Sequence, residues 1–122
     1  MDTIVVGIDF SKSSLTAMKV SIDIAARANA DLHIVWVETV EMPYDKAEEK
    51  LKEYANKAKE KLNNSEAYYH ILPKGKVYLI LNKAIKEFDA DLLVVGTHGN
   101  SGYDEKFAGA NTYKTITEAH CP

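Results

Sequence analysis

The segment Asp91-Leu92-Leu93-Val94-Val95-Gly96-Thr97-His98-Gly99 decides the fold. Leu92 to Gly96 is apolar without alternation, the composition of a parallel strand covered on both faces. The run then breaks into Gly96, Gly99 and Gly102, a loop of residues that tolerate positive φ. After Phe107, Gly109 opens a further helical pattern. A buried strand feeding a glycine loop and then a helix N-terminus turns backbone N–H groups outward, where the helix dipole favours negative charge. This is the place in the chain suited to a phosphate, a better reading than a flexible connector.

Towards the N-terminus the same strand composition recurs. Thr3 to Asp9 is β-branched and apolar, and Ser11 and Ser13 are N-cap residues for the helix that follows. Leu15, Met18, Ile22, Ala25 and Ala26 lie on one face of that helix, which Asn29-Ala30-Asp31 ends. Leu32 to Val37 is a second strand, apolar except for His33. Pro43 stands near the start of a charged helix over 46–64, whose stripe is Ala47, Leu51, Tyr54, Ala58 and Leu62. Its alternating lysines and glutamates read as a solvated face with i,i+4 pairing. Ala67 to Leu72 is a third strand, closed by Pro73-Lys74-Gly75. Val77, Ile80, Leu81, Ala84, Ile85 and Phe88 then form the broadest apolar helix face in the chain. A last helix is expected from about Gly109 to Ala119.

Strand and helix alternate with short connectors, so the class is α/β with an open, doubly wound parallel sheet. Right-handed crossovers place helices on both faces, and ligands belong at the carboxyl ends of strands near the switch point. Asp9 and Gly96 sit at such ends, an indication independent of the glycine loop. The sequence stops at His120-Cys121-Pro122, after the last expected helix, where a fifth strand would follow. Without it the sheet edge carries unpaired backbone groups, and the chain reads as a fragment or as the first half of a longer protein.

Composition excludes several classes. The 122 residues make one domain, 1–122, large enough to bury a core without staples. A net charge of -3 and a pI near 5.8 argue against a nucleic-acid surface. A single cysteine, Cys121, excludes an internal disulfide and suggests a reducing compartment, the cytoplasm. No basic, apolar leader opens the sequence, and no apolar run approaches the roughly 18 residues of a membrane span.

At the level of motifs the chain resembles the universal stress protein family. The nucleotide-binding pattern Gly-x2-Gly-x9-Gly-[Ser/Thr] is matched by Gly96, Gly99 and Gly109 with both spacings kept, but position 110 is alanine. Asp9-Phe10-Ser11 matches the family's Asp-x-Ser, Trp36-Val37 its apolar-Val turn, and Cys121-Pro122 its closing Cys-Pro. The resemblance implies a Rossmann-like fold of the adenine nucleotide alpha hydrolase type, with five strands and the fifth absent from this chain. It implies an adenine nucleotide, ATP, with or without Mg2+, as ligand. Asp9 would lie near the ribose or a metal-bound phosphate and the Val37 backbone near the adenine. Gly96, His98, Gly99, Gly109, Ala110, Asn111 and Thr112 would line the phosphates. It also implies a homodimer through the missing edge strand, or a tandem second domain. Ala110 removes a hydroxyl donor worth roughly 1.5–3 kcal/mol to a charged acceptor, while the backbone N–H groups of Gly109, Ala110 and Asn111 and the Thr112 hydroxyl remain.

Catalysis is not indicated. The sequence offers no nucleophile–base pair and no Gly-x4-Gly-Lys-[Ser/Thr] loop to bring a lysine to a γ-phosphate, so at most slow hydrolysis is expected. His98 reads as a polar loop residue, and His33 and His70 as hydrogen-bonded structural residues rather than metal ligands. His120 and Cys121 alone do not make a zinc site. A phosphorelay receiver lacks its aspartate at the end of the third strand, which is Leu72-Pro73. A flavodoxin-like carrier lacks glycine in the turn 9–14. Two functions stay open: a regulatory module that binds adenine nucleotide, and a nucleotide-free interaction protein of the same fold, which Ala110 favours.

Overall fold

The computed structural model describes residues 2–96 and the backbone of 114–117. The elements run β1 (Thr3–Ile8), α1 (Lys12–Ala28), β2 (Asp31–Val37), α2 (Tyr44–Lys61), β3 (Ala67–Leu72), α3 (Val77–Phe88), β4 (Leu92–Val95) and β5 (Lys114–Thr117). They form one sheet of order β3-β2-β1-β4-β5 in which every pairing is parallel. The direction of winding reverses at β1 and β4, which opens a crevice beyond their carboxyl ends.

The apolar runs become a two-sided core. Ile4, Val6, Ile8, Leu32, Ile34, Trp36 and Val94 pack on one face beneath α1 and α2. Val5, Val35, Val37, Leu93 and Val95 pack on the other against Leu81 and Ile85 of α3. The continuous strand composition is thus explained by helices on both sides. The expected faces are the buried ones: Met18, Ile22 and Ala25 of α1, and Leu81, Ala84 and Ile85 of α3. In α2 only a narrow row is covered, chiefly Ala47, Leu51, Ala55 and Ala58.

Both α1 and α3 stop on a left-handed residue, Asn29 (φ 55°) and Asp89 (φ 53°), whose N–H bonds back into the helix. Each is followed by a buried alanine and then by an aspartate, Asp31 as the first residue of β2 and Asp91 immediately before β4. Asp31 Oδ1 accepts the Glu66 N–H at 2.9 Å, and Asp91 Oδ2 accepts those of Asp2 (2.8 Å) and Thr3 (3.1 Å). These bonds favour the charged form of Asp91 and hold its pKa below the ordinary carboxylate value.

The C-terminal part requires a correction. Residues 114–117, read as part of a last helix, form β5 and pair with β4 from Leu92↔Lys114 to Val95↔Thr117. Thr115, Ile116 and Thr117 are β-branched and suit an extended backbone. The open edge of β4 supplies the backbone partners. The place beside β4 is therefore filled by this segment rather than by a strand following the expected helix. The rest of that helix lies outside the described residues.

Candidate functional site

The carboxyl end of β1 passes into α1 through a tightly bonded turn. Asp9 Oδ1 accepts the Ser11 N–H at 2.9 Å, and the Asp9 N–H reaches Ser14 Oγ at 3.3 Å. Ser11 caps α1, its Oγ accepting the Ser14 N–H at 3.2 Å. Between them Phe10 adopts φ 66°, a left-handed conformation costly for a residue with a Cβ. Packing holds it there. Its ring lies 5.8 Å from that of Trp36 and 6.2 Å from that of Tyr54, with Lys50 Nζ 5.6 Å above it.

On the α3 face of the sheet, a cleft of about 60 Å³ opens between the ends of β1 and β2. Asp9, Val37, Thr39, Val77 and Leu81 line it, with Gly7 in its floor. The register explains the place of Val37. Asp31 N–H bonds Asp2 O, so the odd residues of β2 turn their backbones towards β1. Strand β1 ends at Ile8, opposite Trp36, so among the described residues no strand residue faces the Val37 carbonyl.

Gly96 closes β4 against the same helix start. A Cβ there would lie 2.5 Å from the Ser13 carbonyl carbon, 2.6 Å from its oxygen and 2.7 Å from its Oγ. Only glycine lets β4 lie this close to the first turn of α1. That turn contains no acidic side chain, and the negative charge at this helix start is the Asp9 carboxylate just before it.

Of the residues expected at the site, Asp9, Val37 and Gly96 are brought to the carboxyl ends of β1, β2 and β4. His98, Gly99, Gly109, Ala110, Asn111 and Thr112 lie outside the described residues. Sequence reading missed Thr39, Val77 and Leu81 as lining residues. Val77 and Leu81 belong to the strongest apolar pattern in the chain, which masks a second use at the head of α3. Thr39 carried no signal beyond lying two positions past the strand.

A family comparison bears on this geometry. The model described as the Universal stress protein family matches residues 1–122. The chain belongs to the universal stress protein family. No curated protein is a significant match. Among solved structures, a universal stress protein in complex with cAMP is 28% identical, with a TM-score of 0.75 and 97% of this chain covered against 96% of that one. One from Archaeoglobus fulgidus in complex with dAMP is 17% identical (TM-score 0.74; 98% of each chain). A family protein from Arabidopsis thaliana with AMP bound is 18% identical (TM-score 0.69; 97% and 91%). The latter two likenesses are of fold. Among the described residues, no helix of this family member is long and apolar enough to cross a membrane.

The two strand histidines lie away from the site. His33 Nδ1 and His70 Nε2 are 2.8 Å apart, and Phe88 stacks on His33 with centroids 4.5 Å apart. Burial lowers the pKa of both. At His33 the neighbouring His70 lowers it further, while Asp31 partly offsets this. The sign follows: with folded values below the unfolded value of about 6.5, the stabilisation is complete above that pH and is lost as pH falls through the folded values. Urea midpoints should therefore drop between pH 8 and pH 5.5. The drop should shrink in His70→Gln, since Asp91 stays charged throughout that window.

Proposed function

We propose that this universal stress protein is a regulatory module that binds an adenine nucleotide, ATP, across the carboxyl ends of β1, β2 and β4. The observation that carries the reading is the cleft shared by Asp9 and Val37. It combines a carboxylate, an unopposed strand-end carbonyl and the apolar wall of Val77 and Leu81. Such a wall suits a planar base, and the Val37 backbone supplies the polar contact that orients it. One Asp9 oxygen caps the turn, leaving the other for a ribose hydroxyl or a Mg2+ held chiefly by phosphate oxygens. One carboxylate with phosphates is a donor set that Mg2+ accepts. The phosphates would run towards Gly96, His98, Gly99, Gly109, Ala110, Asn111 and Thr112. The cAMP, dAMP and AMP in the solved relatives support the choice of adenine. The module acts by occupancy rather than turnover, in the cytoplasm and as a homodimer.

Calorimetric titration with ATP and Mg2+ tests the reading, on wild type and on Ala110→Ser. Both should bind, the serine variant about tenfold more tightly for one added hydrogen bond to a charged group. Trp36, which touches Phe10 of the Asp9 turn, should report the same event by fluorescence. Silence in wild type with binding by Ala110→Ser would replace the module by a nucleotide-free interaction protein.

A further inference from the structure

We propose that the outer edge of β3 receives an extended acidic peptide from a partner protein, added to the sheet as a strand and read as alternating acidic and apolar residues. Strand β3 ends the sheet, and among the described residues only β2 pairs with it. Leu32 N–H bonds Glu66 O and Glu38 N–H bonds Leu72 O, both at 2.9 Å. Even positions of this segment therefore turn inward, while Ala67, Tyr69 and Ile71 present N–H and C=O groups outward. Edges of this kind are commonly guarded by a proline, a lysine or a bulge within the strand. Ala67-Tyr68-Tyr69-His70-Ile71-Leu72 has no proline or lysine and pairs with β2 in unbroken register.

A groove of about 350 Å³ runs along this edge between β3 and α2. Its outer rim is Lys52, Asn56 and Lys59, exposed residues at i, i+4 and i+7 on one row of α2. Neither lysine is in an ion pair among the described residues, whereas the nearby Lys57 is bridged to Glu53. Glu48, one turn before Lys52, is held by the Tyr69 hydroxyl at 3.1 Å, and beyond it Lys52 and Lys59 give the rim its positive charge. It faces one side of any added strand. On the other side stands Tyr68, 43% exposed, its ring stacked 5.0 Å from His33. A docked strand alternates its side chains between these two surroundings, acidic towards the lysines and apolar towards Tyr68. Two-fold pairing of this edge with a second copy would set lysine row against lysine row, which disfavours that occupant. The groove flanks the amino half of β3, away from the cleft of Asp9 and Val37, so it is independent of nucleotide.

The probe is a fluorescein-labelled peptide of four Glu-Val repeats, followed by anisotropy. Two further versions carry N-methyl groups on alternate amides, one on each phase. The full chain should bind the plain peptide saturably. One methylated version should bind at least tenfold more weakly and the other nearly as well, since an edge strand pairs through only one phase of its amides. The surface variant K52E/K59E, checked for an unchanged melting temperature, should lose at least tenfold and gain binding to a Lys-Val peptide. No saturable binding, equal binding of both methylated versions, or indifference to the charge reversal would overturn the proposal. So would a dimer in sedimentation velocity that K52E/K59E dissolves, because the occupant would then be a second copy.

Discussion

Gly96→Ala should cost about 3 kcal/mol of stability, the upper part of the usual range for overpacking, and should abolish ATP binding with it. The new methyl would meet backbone as well as side chain, with the Ser13 carbonyl carbon 2.5 Å away, so no rotamer change relieves it. Either β4 or the first turn of α1 must move, and that turn carries the Ser11 cap and borders the end of the site where the phosphates are proposed to lie. Two other glycines calibrate the measurement. At Gly7 a Cβ would meet the tips of Leu81 and Val95 at 3.1 and 3.3 Å, contacts that yield by small shifts, for about 1 kcal/mol. At exposed Gly75 it would meet the flexible end of Ile80, and the change should stay within about 0.5 kcal/mol. Urea denaturation of the three variants should give that order; a Gly96→Ala protein as stable as Gly75→Ala would refute the packing argument.

Trp36→Ala should cost about 3–5 kcal/mol, the usual loss for a large aromatic removed from a core. Trp36 is only 2% exposed and sits beneath α2. Its second effect is local. The ring supports Phe10, whose left-handed backbone sets the direction of the Asp9 carboxylate. ATP affinity should therefore fall under conditions where the variant is still folded. Trp36→Phe, which keeps an aromatic partner, should recover most of the affinity and much of the stability. Equal affinities in Trp36→Ala and wild type would show that the Asp9 turn holds itself.

The elements read well from sequence where one physical cause dominates. Unbroken β-branched runs gave β1, β2 and β4, and the Val77–Phe88 periodicity gave α3, because burial on known faces leaves a pattern in the residues themselves. Of the candidate site, the positions of Asp9, Val37 and Gly96 at or just past strand ends were legible. Features created by neighbours distant in sequence were hidden. Nothing in Gly96 names Ser13 as the atom group it touches, and nothing in Phe10 announces its positive φ. The His33–His70 pair depends on strand register across 37 positions. Lys114–Thr117 failed for the opposite reason. Its helical reading came from the pattern taken to open at Gly109, whereas its strand form depends on the edge of β4 that it meets.

The two Ala-Asp closures, Ala30-Asp31 and Ala90-Asp91, have a consequence for how such a protein can change. Their carboxylates clasp the starts of β3 and β1, so alignment of the strands is fixed at the amino end of the sheet. The loops at the opposite end inherit that alignment without having to create it. Insertions or exchanges there can remodel what is recognised while the strands keep their partners. Substituting Asp31 or Asp91 would instead loosen the frame on which every such variant is built.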